Sequence, residues 1–423
     1  MTAPLVAALL MAAGHSPARA HSYEIGGPFL IAGETGDNAV VSGDFNGDRR
    51  TDLAFCQGGK NVIILTQGHD GSFDRHFDAS VWSPLLPGWS VYDCRMNIAD
   101  LNADGIDDII LTHSLGITSL ISNGAGGFDR SEIDVGVQVS GDMLKASALI
   151  DVDEDGDLDL VVYSKDGRLR YWPNDGSGHL GTEKLLLQID VGYGGLRGMA
   201  VGDFDSDGRI DIVFPVHRYF PEEISLLRLF RNVGGGAFVE LAPITFPAGA
   251  AIDNAAIGDV NGDGRNDIVV THKANNPAAA VVVLLQGNDG TFGDFQAYAT
   301  ADLPASILIV DIDGDGLNDV VINHPGWMRV TTYLQGPTYL ELQPSAHWVG
   351  SNLNTGQVMA AGDFNSDGCT DIVVATGGAA YYLLYGTSCH QRHSARPTPE
   401  ILRQGERLRR TNIGVPSGAG VAR

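Results

Sequence analysis

Seven short acidic runs carry the chemistry legible in this chain of 423 residues. They read DFNGDRRTD from Asp44, DLNADGIDD from Asp100, DVDEDGDLD from Asp151, DFDSDGRID from Asp203, DVNGDGRND from Asp259, DIDGDGLND from Asp311 and DFNSDGCTD from Asp363. Numbered from the first aspartate, oxygen donors recur at positions 1, 3, 5 and 9. The first three runs supply Asp44, Asn46, Asp48 and Asp52; Asp100, Asn102, Asp104 and Asp108; and Asp151, Asp153, Asp155 and Asp159. The next two supply Asp203, Asp205, Asp207 and Asp211, and Asp259, Asn261, Asp263 and Asp267. The last two supply Asp311, Asp313, Asp315 and Asp319, and Asp363, Asn365, Asp367 and Asp371. Alternate hard oxygen donors around a tight turn suit a hard cation, and the runs contain no His and a single Cys. Calcium is therefore the expected ion, structural in role and bound at up to seven sites. Gly at position 6 supplies a sharp turn in every run but the first, where Arg49 replaces it. The first run is thus the weakest expected site, and the third, with Asp157 added at position 7, the most acidic.

The runs begin between 51 and 56 residues apart, so each belongs to one repeating unit. An apolar stretch such as Ile307-Leu308-Ile309-Val310 leads into the acidic loop, and a β-branched run such as Ile268-Val269-Val270 follows it. A second strand and a Gly-rich turn ending in an aromatic complete the unit, as in Gly68-His69-Asp70-Gly71-Ser72-Phe73. Short β-rich runs separated by Gly/Asn/Asp turns read as hairpins, and four strands per repeat read as a propeller blade. The predicted fold is all-β, a seven-bladed propeller of four-stranded antiparallel blades over residues 21–390. Strands are named A to D, with the acidic loops (A to B) on the lower face and the B–C and D–A loops on the upper face. The seventh unit stops after Tyr381-Tyr382-Leu383-Leu384-Tyr385. The segment from Tyr23 to Ala32 is expected to supply its missing outer strand and close the ring, which removes two sheet edges.

Nearly the whole formal charge of −25 is carried by carboxylates at the repeated loop positions, so the acidity is ligand rather than general surface. So acidic a chain repels phosphate, which excludes nucleic acid as a partner. These repeats resemble FG-GAP/VCBS repeats, the units of integrin α-subunit propellers and of many exported bacterial proteins. The resemblance covers about residues 23 to 390. It implies calcium in the A–B loops and ligand binding on the upper face, and it implies no single activity.

The first twenty residues form an apolar stretch ending in Ala18-Arg19-Ala20, the pattern of a cleaved signal peptide over 1–20. Secretion, to the periplasm or outside the cell, permits disulfides, and strand position predicts the pairs Cys56–Cys94 and Cys369–Cys389. No later run is long and apolar enough to span a bilayer. Residues 391–423, rich in Arg, Pro and Gly, read as a flexible basic tail. The chain is expected to act as a monomer.

Counting onward from position 9 places His113, His217, His272 and His324 at matching heights on the upper face, beside Gln57, Ser164 and Thr376. The starts of the A strands add Asn38, Arg95, Lys145, Arg197, Asp253 and Gln357 around the central channel. Aromatics including Trp82, Trp89, Tyr92, Tyr193, Tyr219, Trp327 and Trp348 fall in the same loops. Exposed rings of this kind suit stacking on a sugar or a protein partner. The leading expectation is a non-catalytic binding or adhesion module for a carbohydrate or protein ligand. The alternative is a secreted lyase, dehydratase or hydrolase whose active centre uses His113, His217, His272, His324, Lys145 and Arg197 in an upper-face funnel. No G-x-S-x-G, H-E-x-x-H or phosphate-loop motif accompanies them.

Overall fold

A computed structural model describes residues 22–31, 38–57, 61–80, 94–113, 116–133, 135, 144–164, 166–189, 198–218, 222–247, 249–275, 277–336, 340–342, 347–349, 357–376, 380–387 and 389. The described strands form seven antiparallel sheets arranged as propeller blades. Blade 1 runs Asn38–Gly43, Asp52–Gln57, Asn61–Gln67 and Phe73–Ser80, each strand pairing with the next. Blades 2, 3 and 5 repeat this order without addition. In blades 4 and 6 the outer strand is in two pieces, with Ile244–Thr245 and His347–Trp348 each returning to pair with strand C.

Blade 7 is closed by the other end of the chain. Ser22–Leu30 pairs antiparallel with Ala380–Thr387, in a register that sets Ser22 opposite Thr387 and Leu30 opposite Ala380. The N-terminal strand therefore occupies the outer position expected from the missing fourth strand of the last repeat.

The blades are held together by the packing between them. Each of six buried clusters draws residues from neighbouring blades; one joins Ala54, Ile64 and Val62 of blade 1 to Met96, Ile109 and Leu111 of blade 2. Strand B of every blade is sandwiched on both faces, which is why it reads as a continuous apolar run such as Ile268-Val269-Val270 rather than an alternating one. Outer strands alternate or are exposed, as in Phe128–Ile133. Both expected disulfides form: Cys56–Cys94 links blades 1 and 2, and Cys369–Cys389 fastens the end of blade 7. Each closes a loop of the chain and so restricts the unfolded state.

Among the described residues no helix is long and apolar enough to cross a membrane. The expected signal peptide over 1–20 and the tail over 391–423 lie outside the described residues.

Candidate metal centres and the opposite face

Each acidic loop joins strand A to strand B and is knit by its own carboxylates. The position 1 aspartate accepts the amide N–H of position 6 in all seven loops, for example Gly264 N–H to Asp259 at 2.7 Å and Gly316 N–H to Asp311 at 2.8 Å. The position 5 aspartate accepts the N–H of position 7 in all seven, at 2.8 to 3.0 Å. These are Asx turns, the local geometry that aspartate favours in loops.

The position 9 aspartate does a different job. It is the first residue of strand B, fully buried, and both its oxygens are taken by backbone amides. In blade 1, Asp52 accepts from Phe45 N–H at 3.0 Å and from Gln67 N–H at 2.8 Å. The same pair of bonds recurs at Asp108, Asp159, Asp211, Asp267, Asp319 and Asp371. This carboxylate thus braces the loop against the lower end of strand C. Burial pushes these carboxyls up, to about 6 at Asp108 and Asp267, about 7 at Asp52, Asp159 and Asp371, and about 8 at Asp211 and Asp319. The amide donors pull them back toward the charged form.

Two backbone positions in each loop are left-handed. Position 6 has φ between 68° and 96°, with Arg49 alone lacking the glycine that this conformation favours. Position 4 is left-handed too, at Gly47, Ala103, Glu154, Ser206, Gly262, Gly314 and Ser366. The sequence reading missed position 4. Its only signal is glycine there in three of the seven copies.

The loops differ in how far their donors converge. In blades 3, 4 and 6, where position 3 is aspartate, three carboxylates each bring an oxygen within 4.8 Å of the others: Asp151, Asp153 and Asp159; Asp203, Asp205 and Asp211; Asp311, Asp313 and Asp315. In blades 1, 2, 5 and 7 position 3 is asparagine, and its amide instead donates to the position 5 carboxylate at 2.9 to 3.2 Å. Asp151 Oδ1, Asp153 Oδ1 and Asp205 Oδ1 are buried with no hydrogen-bond partner among the described residues. Buried carboxylate oxygens without a donor are costly, and a hard cation satisfies several at once. The donor set therefore fits calcium.

On the opposite face the histidines are absorbed into the structure. His113 Nε2 lies 3.1 Å from Thr118 Oγ1, and His217 Nδ1 lies 2.7 Å from Ser225 Oγ. His324 is fully buried, its Nε2 2.8 Å from Thr331 Oγ1 and its Nδ1 3.1 Å from Asp302 O. Burial pushes both His113 and His324 down to about 4, so both stay neutral near neutral pH. His272 is half-buried, with Nε2 3.2 Å from Gly249 O.

Lys145 and Arg95 are half-buried in strands A of blades 3 and 2, and Asp253 pairs with Lys273 Nζ at 3.0 Å. Gln357 is held by bonds to Met96. Among the described residues no cluster of metal-ligating groups includes any of these histidines. Arg197 lies outside the described residues, as do Trp82, Trp89, Tyr92, Tyr193 and Tyr219.

Two tryptophans stand out on blade 6. Trp327, in the B–C turn Pro325–Trp327, is 51% exposed, and Trp348, in the last piece of the outer strand, is 65% exposed. Their backbones are adjacent: Val349 N–H donates to Met328 O at 2.8 Å. Trp348 lies directly opposite the exposed Arg329, so indole and guanidinium share one face of the sheet.

A family model described as the FG-GAP-like repeat matches residues 44–111, 151–214, 223–270 and 311–374. No curated protein matches the chain. Among solved structures, a lectin from Agrocybe aegerita described as specifically recognising non-reducing terminal N-acetylglucosamine is similar at 20% identity. That match has a TM-score of 0.52 and covers 74% of this chain and 80% of the lectin. A structure of BBS1N in complex with ARL6DN, soaked with lead, is similar at 11% identity with a TM-score of 0.55, covering 89% of this chain and 99% of the other. At these identities the likeness is one of fold.

Proposed function

The chain belongs to the family of FG-GAP-like repeat proteins, and on that premise we propose that it is an exported, calcium-stabilised module that binds carbohydrate on its upper face. The observation that carries the ligand reading is the exposed pair Trp327 and Trp348 on adjacent backbone, with Arg329 opposite Trp348. Flat aromatic faces stack on the apolar face of a pyranose, and a guanidinium donates to its hydroxyls. Two exposed rings and one cation at neighbouring backbone positions offer the stacking and hydrogen-bonding groups that a sugar requires. The lectin that shares the fold recognises a sugar end, which supports the same class of ligand.

Calcium in the lower loops is supported by the repeated oxygen donors and by the orphaned oxygens of Asp151, Asp153 and Asp205. When bound, the ion neutralises the converging carboxylates and couples loop closure to folding. Position 1 and 5 side chains orient the loop, and the position 9 aspartate anchors it to strand C. Export is supported by the two disulfides and by the apolar N-terminal stretch. The enzymatic alternative draws no support from His113, His217 and His324, whose rings are buried against Ser and Thr hydroxyls.

The test is a glycan array with the full chain in calcium, repeated with Trp327→Ala and Trp348→Ala. Binding to a defined glycan that either substitution abolishes, with melting unchanged, supports the proposal. Binding only to a protein in a parallel pulldown, or glycan binding indifferent to both substitutions, overturns it.

A further inference from the structure

Three of the seven loops carry a cation of their own. Position 7 is Arg50 in blade 1, Arg209 in blade 4 and Arg265 in blade 5, where the remaining loops have Ile106, Asp157, Leu317 and Cys369. The three arginines adopt one arrangement. Nε donates to the backbone carbonyl at the lower end of strand C: Gln67 O at 2.7 Å, Asn232 O at 3.0 Å and Gln286 O at 3.1 Å. Nη2 forms an ion pair with Oδ2 of the position 5 carboxylate, Asp48, Asp207 and Asp263 respectively. The other oxygen of that carboxylate accepts the arginine's own N–H at 2.9 Å in all three.

One of the expected metal ligands is thus already matched by a guanidinium. In blades 1 and 5 the position 3 asparagine donates to the same Oδ2, at 2.9 and 3.0 Å. At position 3 a cation stands off the carboxylate in loops with and without this arginine: Arg231 lies 3.7 Å from Asp205 Oδ2 in blade 4 and Lys184 Nζ 3.8 Å from Asp153 Oδ2 in blade 3, so the position 7 arginine is what separates them. A divalent ion entering any of these loops must displace a hydrogen-bonded cation or sit beside it, and repulsion between like charges at a few ångströms is large.

We infer that the loops form two classes: blades 2, 3, 6 and 7 fill with calcium first, and blades 1, 4 and 5 bind it weakly because their arginine competes for the position 5 carboxylate. This rests on the calcium reading above. The arginine adds a second metal-independent tie from loop to strand C in blades 1, 4 and 5, beside the position 9 brace that all seven blades share.

The test is calorimetric calcium titration of the full chain, stripped of metal, with melting followed in parallel. The wild-type chain should show a tight phase and a weaker one, separated by about tenfold or more in affinity. In Arg209→Leu with Arg265→Leu, the tight phase should gain two ions and melting in chelator should fall. In Leu317→Arg, which installs the arginine in blade 6, the tight phase should lose one ion. Calcium uptake in which neither variant changes the tight count overturns this inference alone. No calcium uptake by the wild-type chain overturns the calcium reading and this inference with it.

Discussion

Gln357 clasps the backbone of Met96 on both sides: its Oε1 accepts Met96 N–H at 2.8 Å and its Nε2 donates to Met96 O at 2.7 Å. Its own carbonyl accepts Val40 N–H at 2.8 Å. One residue leading into blade 7 thereby binds blade 1 and reaches past it to blade 2, at the seam where the ring closes. Gln357→Ala leaves two backbone groups of Met96 without their partner. It should cost about 1–3 kcal/mol, read as a lower denaturant midpoint. Gln357→Glu keeps the acceptor but sets a second oxygen against Met96 O, so it should cost at least as much as Gln357→Ala.

Calcium removal should lower the melting temperature strongly, and single loops should differ in their share of that loss. Asp153→Ala removes a carboxylate whose buried Oδ1 has no donor among the described residues. Asp48→Ala removes one already matched by Arg50. In calorimetric melts with saturating calcium, Asp153→Ala should therefore cost more than Asp48→Ala. In chelator the order should vanish or reverse.

The position 9 aspartate should matter with or without metal. Asp267→Asn turns one acceptor oxygen into an amide donor facing either Gln286 N–H or Val260 N–H. A loss of about 1–3 kcal/mol is expected in calcium and in chelator alike. A loss confined to calcium would place this residue in metal binding alone.

Arg49 occupies a left-handed position, φ 68°, that six other loops fill with glycine. Arg49→Gly should stabilise the chain by about 1 kcal/mol, because relief of the side-chain clash outweighs the added freedom of the unfolded state. Chemical denaturation of the two forms in chelator checks it without any contribution from metal.

Stability in chelator should fall as pH rises. Burial raises the position 9 carboxyls to between about 6 and about 8, above the ordinary aspartate range. The folded chain therefore holds more protons than the unfolded one between about pH 4 and pH 8, and stability is lost across that window as pH increases. His113 and His324, lowered to about 4, act in the opposite sense, losing stability as pH falls from about 6.5 to 4. His347 is lowered by burial as well and Asp107 is raised to about 6, and the greater number of raised carboxyls decides the sign. Bound calcium favours the charged carboxylates, so the gap between melts in calcium and in chelator should widen from pH 5 to pH 8.

The blade count, the loop positions, both disulfides and the borrowed outer strand were legible because one motif repeats seven times and fixes the phase of everything around it. The histidines of the upper face were not. Counting from position 9 gives a residue's height on strand B, but side chains alternate between faces at every step. His113 and His324 are at the expected height, yet their rings meet Thr118 and Thr331 of strand C in the same blade. The brace at position 9 was hidden for another reason. Asp52 carries the residue type of a metal ligand, and only the placement of Phe45 and Gln67 reveals that two amides claim it. The arginines at position 7 were visible as letters, but not their reach to strand C.

The pairing of Ser22 with Thr387, hydroxyl to hydroxyl at 2.6 Å, has a geometric corollary. The first described strand begins and the last one ends at the same corner, the lower end of blade 7. That corner is on the side of the acidic loops, at the opposite end of the strands from Trp327 and Trp348.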